Sequence, residues 1–194
     1  MATQQERRQA TRAAITRAAR RLFGDRGFAA TTIDDVASAA HLAKGAVYHH
    51  FATKEALFEA VFDQVSQELL AEVDRVARSE KDALRATARG TQAYFAACAK
   101  GATGQIVLHD GPAVLGWERW REIDNRHFSG RFAVALTRAM DDGLIAPQPI
   151  EPLSRLLLGA VTEAAVACSG HDLHKAGGDY ARAFQALLDA LRLK

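Results

Sequence analysis

From Thr32 to Leu57 the chain reads TIDDVASAAHLAKGAVYHHFATKEAL, and few folds can accommodate such a stretch. Thr32 is a good N-cap, and Asp35 three residues on completes a capping-box pattern at the start of a short helix. Ile33, Val36, Ala37 and Ala40 recur at helical spacing and give that helix one apolar face. His41 and Leu42 form a corner, and Lys44 to Phe51 resumes a helix. Val47 and Phe51 turn inward there, which leaves Lys44, Tyr48 and His49 turned out. The corner asks His41 to adopt a positive φ, which His tolerates better than most residues at a cost of about 1 kcal/mol.

These short helices need longer neighbours to close a core. Upstream, Ile15, Ala18, Ala19, Leu22 and Phe23 form the inward stripe of a helix predicted from Glu6 to Arg26. Gly27 is placed to end it as a left-handed residue, with Phe28 packing back on Phe23. Downstream, Thr53 caps a helix whose apolar residues run from Leu57 through Val76 without a breaker until about Ser79. About 25 residues make a rod of roughly 38 Å. Its first turns complete a core centred on Phe23, Ile33, Val36, Val47, Phe51 and Phe58, and its far end belongs to whatever follows. That geometry makes it a lever.

A two-helix corner exposing a cation, a phenol and an imidazole resembles a helix-turn-helix, the unit that lays its second helix in a DNA major groove. HLAKGAVYHHFATKEAL, with RRLFGDRGFAATTIDDVASAA ahead of it, is similar to the signature of the tetracycline-repressor (TetR-like) family over about residues 12–62. It departs at position 41, usually glycine and here His41. It departs also at Ala43, often Ser or Thr, and at Ala52, often proline or glycine.

The resemblance implies an all-α fold: a three-helix DNA-binding domain, residues 1–55, joined by the long helix to an effector-binding and dimerisation domain, residues 56–194. It implies a cytoplasmic homodimer that acts as a sequence-specific transcriptional repressor, released from a pseudo-palindromic operator of double-stranded DNA by a small molecule. On that reading Lys44 reaches a base edge or phosphate, Tyr48 a phosphate or thymine methyl, and His49 a phosphate. Gly45 fits where the backbone approaches DNA closely, while Thr32 and Lys54, each at a helix start, clamp flanking phosphates. Capping alone accounts equally well for Thr32.

Charge distribution points the same way. Net charge is only +2, but residues 1–56 carry nine Lys or Arg against five acids, or +4, and the remainder 16 bases against 18 acids, or −2. A cationic front end suits phosphate, although solvated faces often show such asymmetry. No apolar run reaches the ~20 residues of a membrane span. Cys98 and Cys168 are too few for a disulfide framework or a thiolate metal site, so a reducing cytoplasm is expected. No cofactor is expected.

Behind the rod, helices are predicted near residues 80–100, 116–142, 153–168 and 179–193, with residues 104–112 left between a short helix and irregular chain. Tyr94, Phe95, His109, Trp117, Trp120, Arg121 and His127 form a candidate ligand-binding set, although aromatics at helical spacing are also ordinary core. The last two helices carry more apolar surface than one monomer core requires. Leu156, Gly159, Ala160, Glu163, Ala167, Phe184, Leu187, Leu188 and Leu191 are the candidate dimer interface, with an intramolecular core as the alternative.

Two rivals come from other classes. An enzyme finds little support, because there is no Gly-rich phosphate loop or nucleophile elbow. His171 and His174 sit in a Gly-flanked loop without a third ligand, so no metal is expected. An architectural DNA-binding protein without an effector would have a fully packed rear body, whereas a lined cavity would argue against it.

Overall fold

The computed structural model describes residues 3–99, 101–168 and 173–193, and its regular elements among them are all helices. The first helix, α1 (Gln4–Arg26), starts two residues earlier than expected because Thr3 and Glu6 form a reciprocal capping box. Gly27 ends it at φ 78°, the positive φ expected of a glycine there, although its ψ of 167° lies outside the αL cap. Phe28 still reaches back, its ring 5.6 Å from that of Phe23.

Helices α2 (Ile33–Ala39) and α3 (Lys44–His50) follow as expected, and His41 between them sits at φ 56°. Thr32 caps α2 with Asp35, and Thr53 caps α4 (Lys54–Ala77) by accepting the Ala56 N–H. Phe58 on α4 lies edge-on to Phe23 and Phe28, at 5.4 and 5.3 Å. With Ile33, Val36, Val47 and Phe51, all buried, these rings close the front core.

Asp82 caps α5 (Ala83–Cys98), which packs closely along α4: a Cβ at Gly90 would lie 3.1 Å from Val73. Residues 102–115 form α6, in which a wide π-type turn, Gln105–Asp110, joins two short α-helical pieces. Consecutive residues lie closer in angle on such a turn, and Ile106, Val107 and Leu108 are all buried. Helix α7 (Trp117–Asp141) follows.

The next helix, α8 (Ile150–Cys168), begins three residues before the expected Leu153. Pro152 falls in its first turn, where a missing N–H breaks no helical bond. The last, α9 (Leu173–Ala190), begins six residues before the expected Asp179 and takes in Gly177 and Gly178. Gly177 lies against Phe95 of α5, so packing there outweighs the poor helix propensity of glycine. Beyond α9, the Leu193 N–H donates to the Leu144 carbonyl at 3.0 Å and Arg192 pairs with Asp82 at 2.8 Å.

Helix α6 is wedged between α1, α4 and α7. The Phe28 N–H donates to the Asp110 carboxylate at 2.7 Å, and the Trp120 indole donates to the Val107 carbonyl at 3.0 Å. A Cβ at Gly111 would meet the Phe62 ring at 2.8 Å and the Trp120 ring at 3.0 Å. Gly111→Ala is therefore expected to lower stability by about 1–3 kcal/mol through overpacking. Gly130→Ala, with open space above a mid-helix glycine, is expected to raise it by up to about 1 kcal/mol. Calorimetric melting of both variants checks the pair.

Candidate functional site

Lys44, Gly45, Tyr48 and His49 all lie on α3 and are exposed. Gly45 has no neighbour within 4 Å of a would-be Cβ, and Tyr48 is 46% exposed despite its ring. The Lys44 ammonium bonds Asp34 of α2 at 2.8 Å, which raises the Lys44 pKa. An exposed pair of this kind is cheap to exchange for a phosphate. Thr32 is exposed at the head of α2, its hydroxyl already in the capping box with Asp35.

Lys54 is placed differently. Its ammonium donates to the Phe28 and Thr31 carbonyls, both at 2.9 Å, and lies 4.0 Å from the Phe28 ring centroid. It closes the α1–α2 loop, which commits two of the three ammonium donors expected for a phosphate clamp. Arg12 does a similar job, donating to the His50 carbonyl at 3.1 Å with its guanidinium 4.1 Å above the Phe51 ring. His50 between them has its pKa lowered by burial first, then by His49, Arg8 and Arg12.

Behind this head lies a cavity of about 460 Å³, bounded by the far half of α4, by α5, α7 and α8. Its walls include Val73, Gly90, Thr91, Tyr94, Phe128, Phe132, Leu158 and Val161. Such a size suits a small organic molecule. The rim carries Arg131 in a two-point pair with Asp74 at 2.9 and 2.8 Å, and Arg138, which donates to the Lys81 carbonyl.

Of the seven residues expected to bind ligand, only Tyr94 lines this cavity. Phe95 faces α9 at Gly177, and His109 is exposed on α6. Trp120 is buried on Gly111, while Trp117 is half exposed, its ring 5.0 Å from that of Trp120 and beneath the Arg121 guanidinium. His127 bonds Asp63 of α4 at 2.9 Å. These six lie on faces of α5, α6 and α7 that meet other helices or solvent. Helical spacing shows that a residue faces inward but not which neighbour it meets.

Asp124 was not anticipated. It lines the cavity and is only 6% exposed, with the Thr162 hydroxyl donating to it at 3.3 Å. Burial pushes its pKa up to about 6, against the opposing effects of Thr162, Arg121 and His127. A signal did exist, because Asp124 stands four residues after Trp120 and four before Phe128, a charge within an apolar stripe.

Among the residues expected at a dimer interface, Leu156, Ala160, Glu163, Ala167 and Leu187 are exposed, Leu156 by 69%. Gly159 has open space above it, and Leu191 is half-buried. Phe184 and Leu188 differ: both are buried within the protomer, Phe184 edge-on to Phe132 at 6.2 Å. They belong to the intrachain core. His171 and the His174 side chain lie outside the described residues, among which no cluster of three His, Cys, Asp or Glu could hold a metal. No helix among them is long and apolar enough to cross a membrane.

Comparison with known proteins draws the two ends together. The profile of bacterial regulatory proteins of the tetR family matches residues 15–61, and that of the tetracyclin repressor-like C-terminal domain matches residues 84–191, over half of the chain. The chain belongs to the TetR family. This TetR-family regulator is 24% identical to the transposon Tn10 TetC protein of Escherichia coli over 159 residues, covering 80% of this chain and 79% of that protein. It is 44% identical to the regulator TtgR of Pseudomonas putida over 62 residues, 32% of this chain and 30% of TtgR.

A crystal structure of a TetR-family transcriptional regulator from Pectobacterium atrosepticum superposes with a TM-score of 0.89 at 28% identity, covering 100% of this chain and 99% of that one. RolR in complex with resorcinol shares the fold at a TM-score of 0.75 and 18% identity, over 95% of this chain and 90% of RolR. A helix-turn-helix head that binds DNA is thereby joined to a helical C-terminal regulatory body.

Asp124 sets a pH dependence in this TetR-family regulator. Its folded pKa lies near 6, above the ordinary 3.8, so the folded state holds that proton more tightly than the unfolded one. Its contribution to stability therefore falls as pH rises from about 4 through 6, by an amount on the order of 3 kcal/mol. The groups around it are Tyr94 and Cys98 of α5, Thr162 of α8, and Arg121 and His127 of its own helix. Asp124→Asn is expected to melt higher than the parent at pH 7.5, with the gap closing towards pH 4. Melting curves across that range check the sign.

Proposed function

We propose that this TetR-family regulator is a homodimeric repressor, without catalytic activity and acting in the cytoplasm, that leaves its operator when a small, largely apolar molecule fills the rear cavity. The observation that carries this reading is the double membership of α4. Phe58 sits in the front core, while Val73 and Ala77 on the same helix stand in the cavity wall. A ligand that spreads the wall swings the rod and with it the head. The division between the two functions falls near residues 55 and 56, inside the first turn of α4.

Lys44, Gly45, Tyr48 and His49 are the proposed DNA-facing set, with Thr32 as a flanking contact. Two heads in a dimer address successive major grooves, ~34–36 Å apart, and a swing of α4 spoils that spacing. The exposed apolar side of α8 and α9, Leu156, Ala160 and Leu187 in particular, is the proposed interface with a second copy. A cavity of 460 Å³ favours an effector-responsive regulator over an architectural DNA-binding protein. RolR is known with resorcinol and SmeT with triclosan, both small organic molecules on this fold.

The test uses a duplex selected by the purified protein from a randomised library, with binding read by fluorescence anisotropy. Lys44→Ala and Tyr48→Ala are each expected to weaken binding about 10-fold or more while leaving the melting temperature in place. Lys44→Ala should also reduce the slope of log K against log salt by about 1. Lys54→Ala should instead lower the melting temperature, because it unpins the α1–α2 loop. Leu156→Glu should yield monomers in sedimentation velocity and lose tight binding. Unchanged duplex affinity in both Lys44→Ala and Tyr48→Ala overturns the assignment.

A further inference from the structure

The cavity holds one feature that a site for a purely apolar effector would not need. Asp124 is only 6% exposed, and its carboxylate has the Thr162 hydroxyl as hydrogen-bond donor; Arg121 and His127 of its own helix act on it at longer range, and the cavity beside it is mostly aromatic and aliphatic. A carboxylate offers about four acceptor sites. With one protein donor on it, most of that capacity is open to a ligand in the cavity, and replacing a buried charge by a neutral isostere commonly stabilises a fold.

Aromatic rings stand beside it. Phe128 follows one helical turn later on α7, and Tyr94 approaches from α5, edge-on to Phe128 at 5.6 Å between centroids. A carboxylate that shares a cavity with aromatic rings can take up an organic ammonium, through one charge-assisted bond and cation–π contact together.

We propose, resting on the effector-responsive reading above, that the effector is an organic amine bound in its protonated form: an ammonium head on Asp124 and an apolar body along Phe128, Phe132, Leu158 and Val161. The rim cations do not contradict this. Arg131 is paired with Asp74, Arg138 with the Lys81 carbonyl and Asp142, and Arg78 with the Asp74 carbonyl. Arg131 and Arg138 are about half exposed, where water screens them, whereas the floor carboxylate is enclosed. Asp74, Asp142 and Glu80 offset the charges of Arg78, Arg131 and Arg138, so an ammonium passes a charge-balanced rim to the buried carboxylate.

Three probes with one apolar body separate the head groups: 4-phenylbutylamine, 4-phenyl-1-butanol and 4-phenylbutyrate. Each is titrated calorimetrically at pH 7.5 into the full-length protein and into Asp124→Asn and Asp124→Glu. The amine is expected to bind at least about 10-fold more tightly than the alcohol, with the acid weakest. Asp124→Asn should remove that preference, costing the amine about 10-fold or more while the alcohol changes little, and Asp124→Glu should retain it.

Three results overturn the proposal: an alcohol or acid that binds as tightly as the amine, amine binding that survives Asp124→Asn undiminished, or no detectable binding of the amine. Duplex affinity is measured with each probe in parallel. If the alcohol or acid releases DNA and the amine does not, the effector-responsive reading stands and the amine class falls. If the amine binds through Asp124 and leaves duplex affinity unchanged, the site stands and the release mechanism falls.

Discussion

One helix is shared by two cores, and the rest of the molecule is arranged around that fact. Near its start α4 contributes Phe58 to a cluster with Phe23 and Phe28; 15 positions later Val73 faces a cavity. The intervening turns leave little freedom. Arg119, His127 and Arg131 of α7 bond Glu59, Asp63 and Asp74 in sequence along the rod. Each pair is at least partly in water and adds little to stability, ~0–1 kcal/mol. Together they fix which face of α4 meets α7. A packed helix held at several points moves as a body or does not move, so displacement at Val73 has to reappear around Phe58.

A second tie runs through α6. Asp110 accepts the Phe28 N–H just beyond the end of α1, while Trp120 holds α6 from behind through the Val107 carbonyl. The head is thus attached at two places, α4 and α6, both backed by α7. Two attachments define a hinge line, whereas one would leave the head free to rotate. Trp120 and His127 gain their meaning here: they connect α7 to the elements that bear the head.

This division explains what the amino-acid pattern revealed and what it hid. The caps at Thr32 and Thr53, the positive φ at His41 and the buried set around Phe23 depend on residues a few positions apart, and short offsets carry that information. The fates of Lys54, Phe184 and Trp120 depend on elements distant in sequence. A lysine at a helix start looks like a phosphate clamp until the Phe28 and Thr31 carbonyls arrive from the α1–α2 loop. Phe184 looks like interface until Phe132 is seen against it. The start of α9 was obscured because two glycines suggest a loop, and only contact with Phe95 makes the missing side chain of Gly177 useful inside a helix. Asp124 was legible in principle, since a charge within an apolar stripe is the mark of a buried polar group with a task.

The magnitudes show why that residue matters to switching. Turning a two-state balance from 1:99 to 99:1 requires about 5.5 kcal/mol of differential binding. The raised pKa of Asp124 bounds what its buried charge can offer a cation at on the order of 3 kcal/mol, before the cation's own desolvation is counted, if the contact forms in only one of the two states. The remaining ~2.5 kcal/mol corresponds to about 100 Å² of apolar surface at ~25 cal/mol per Å². A single aromatic ring buries more than that, about 150–250 Å². A small cavity lined by rings and floored by one buried carboxylate is therefore large enough for the proposed lever, provided that the apolar contact and the charge both belong to the swung state. The requirement falls on the state dependence of the site and not on its size: the proposed swing of α4 serves release only where it changes the distance between that wall and Asp124 on α7.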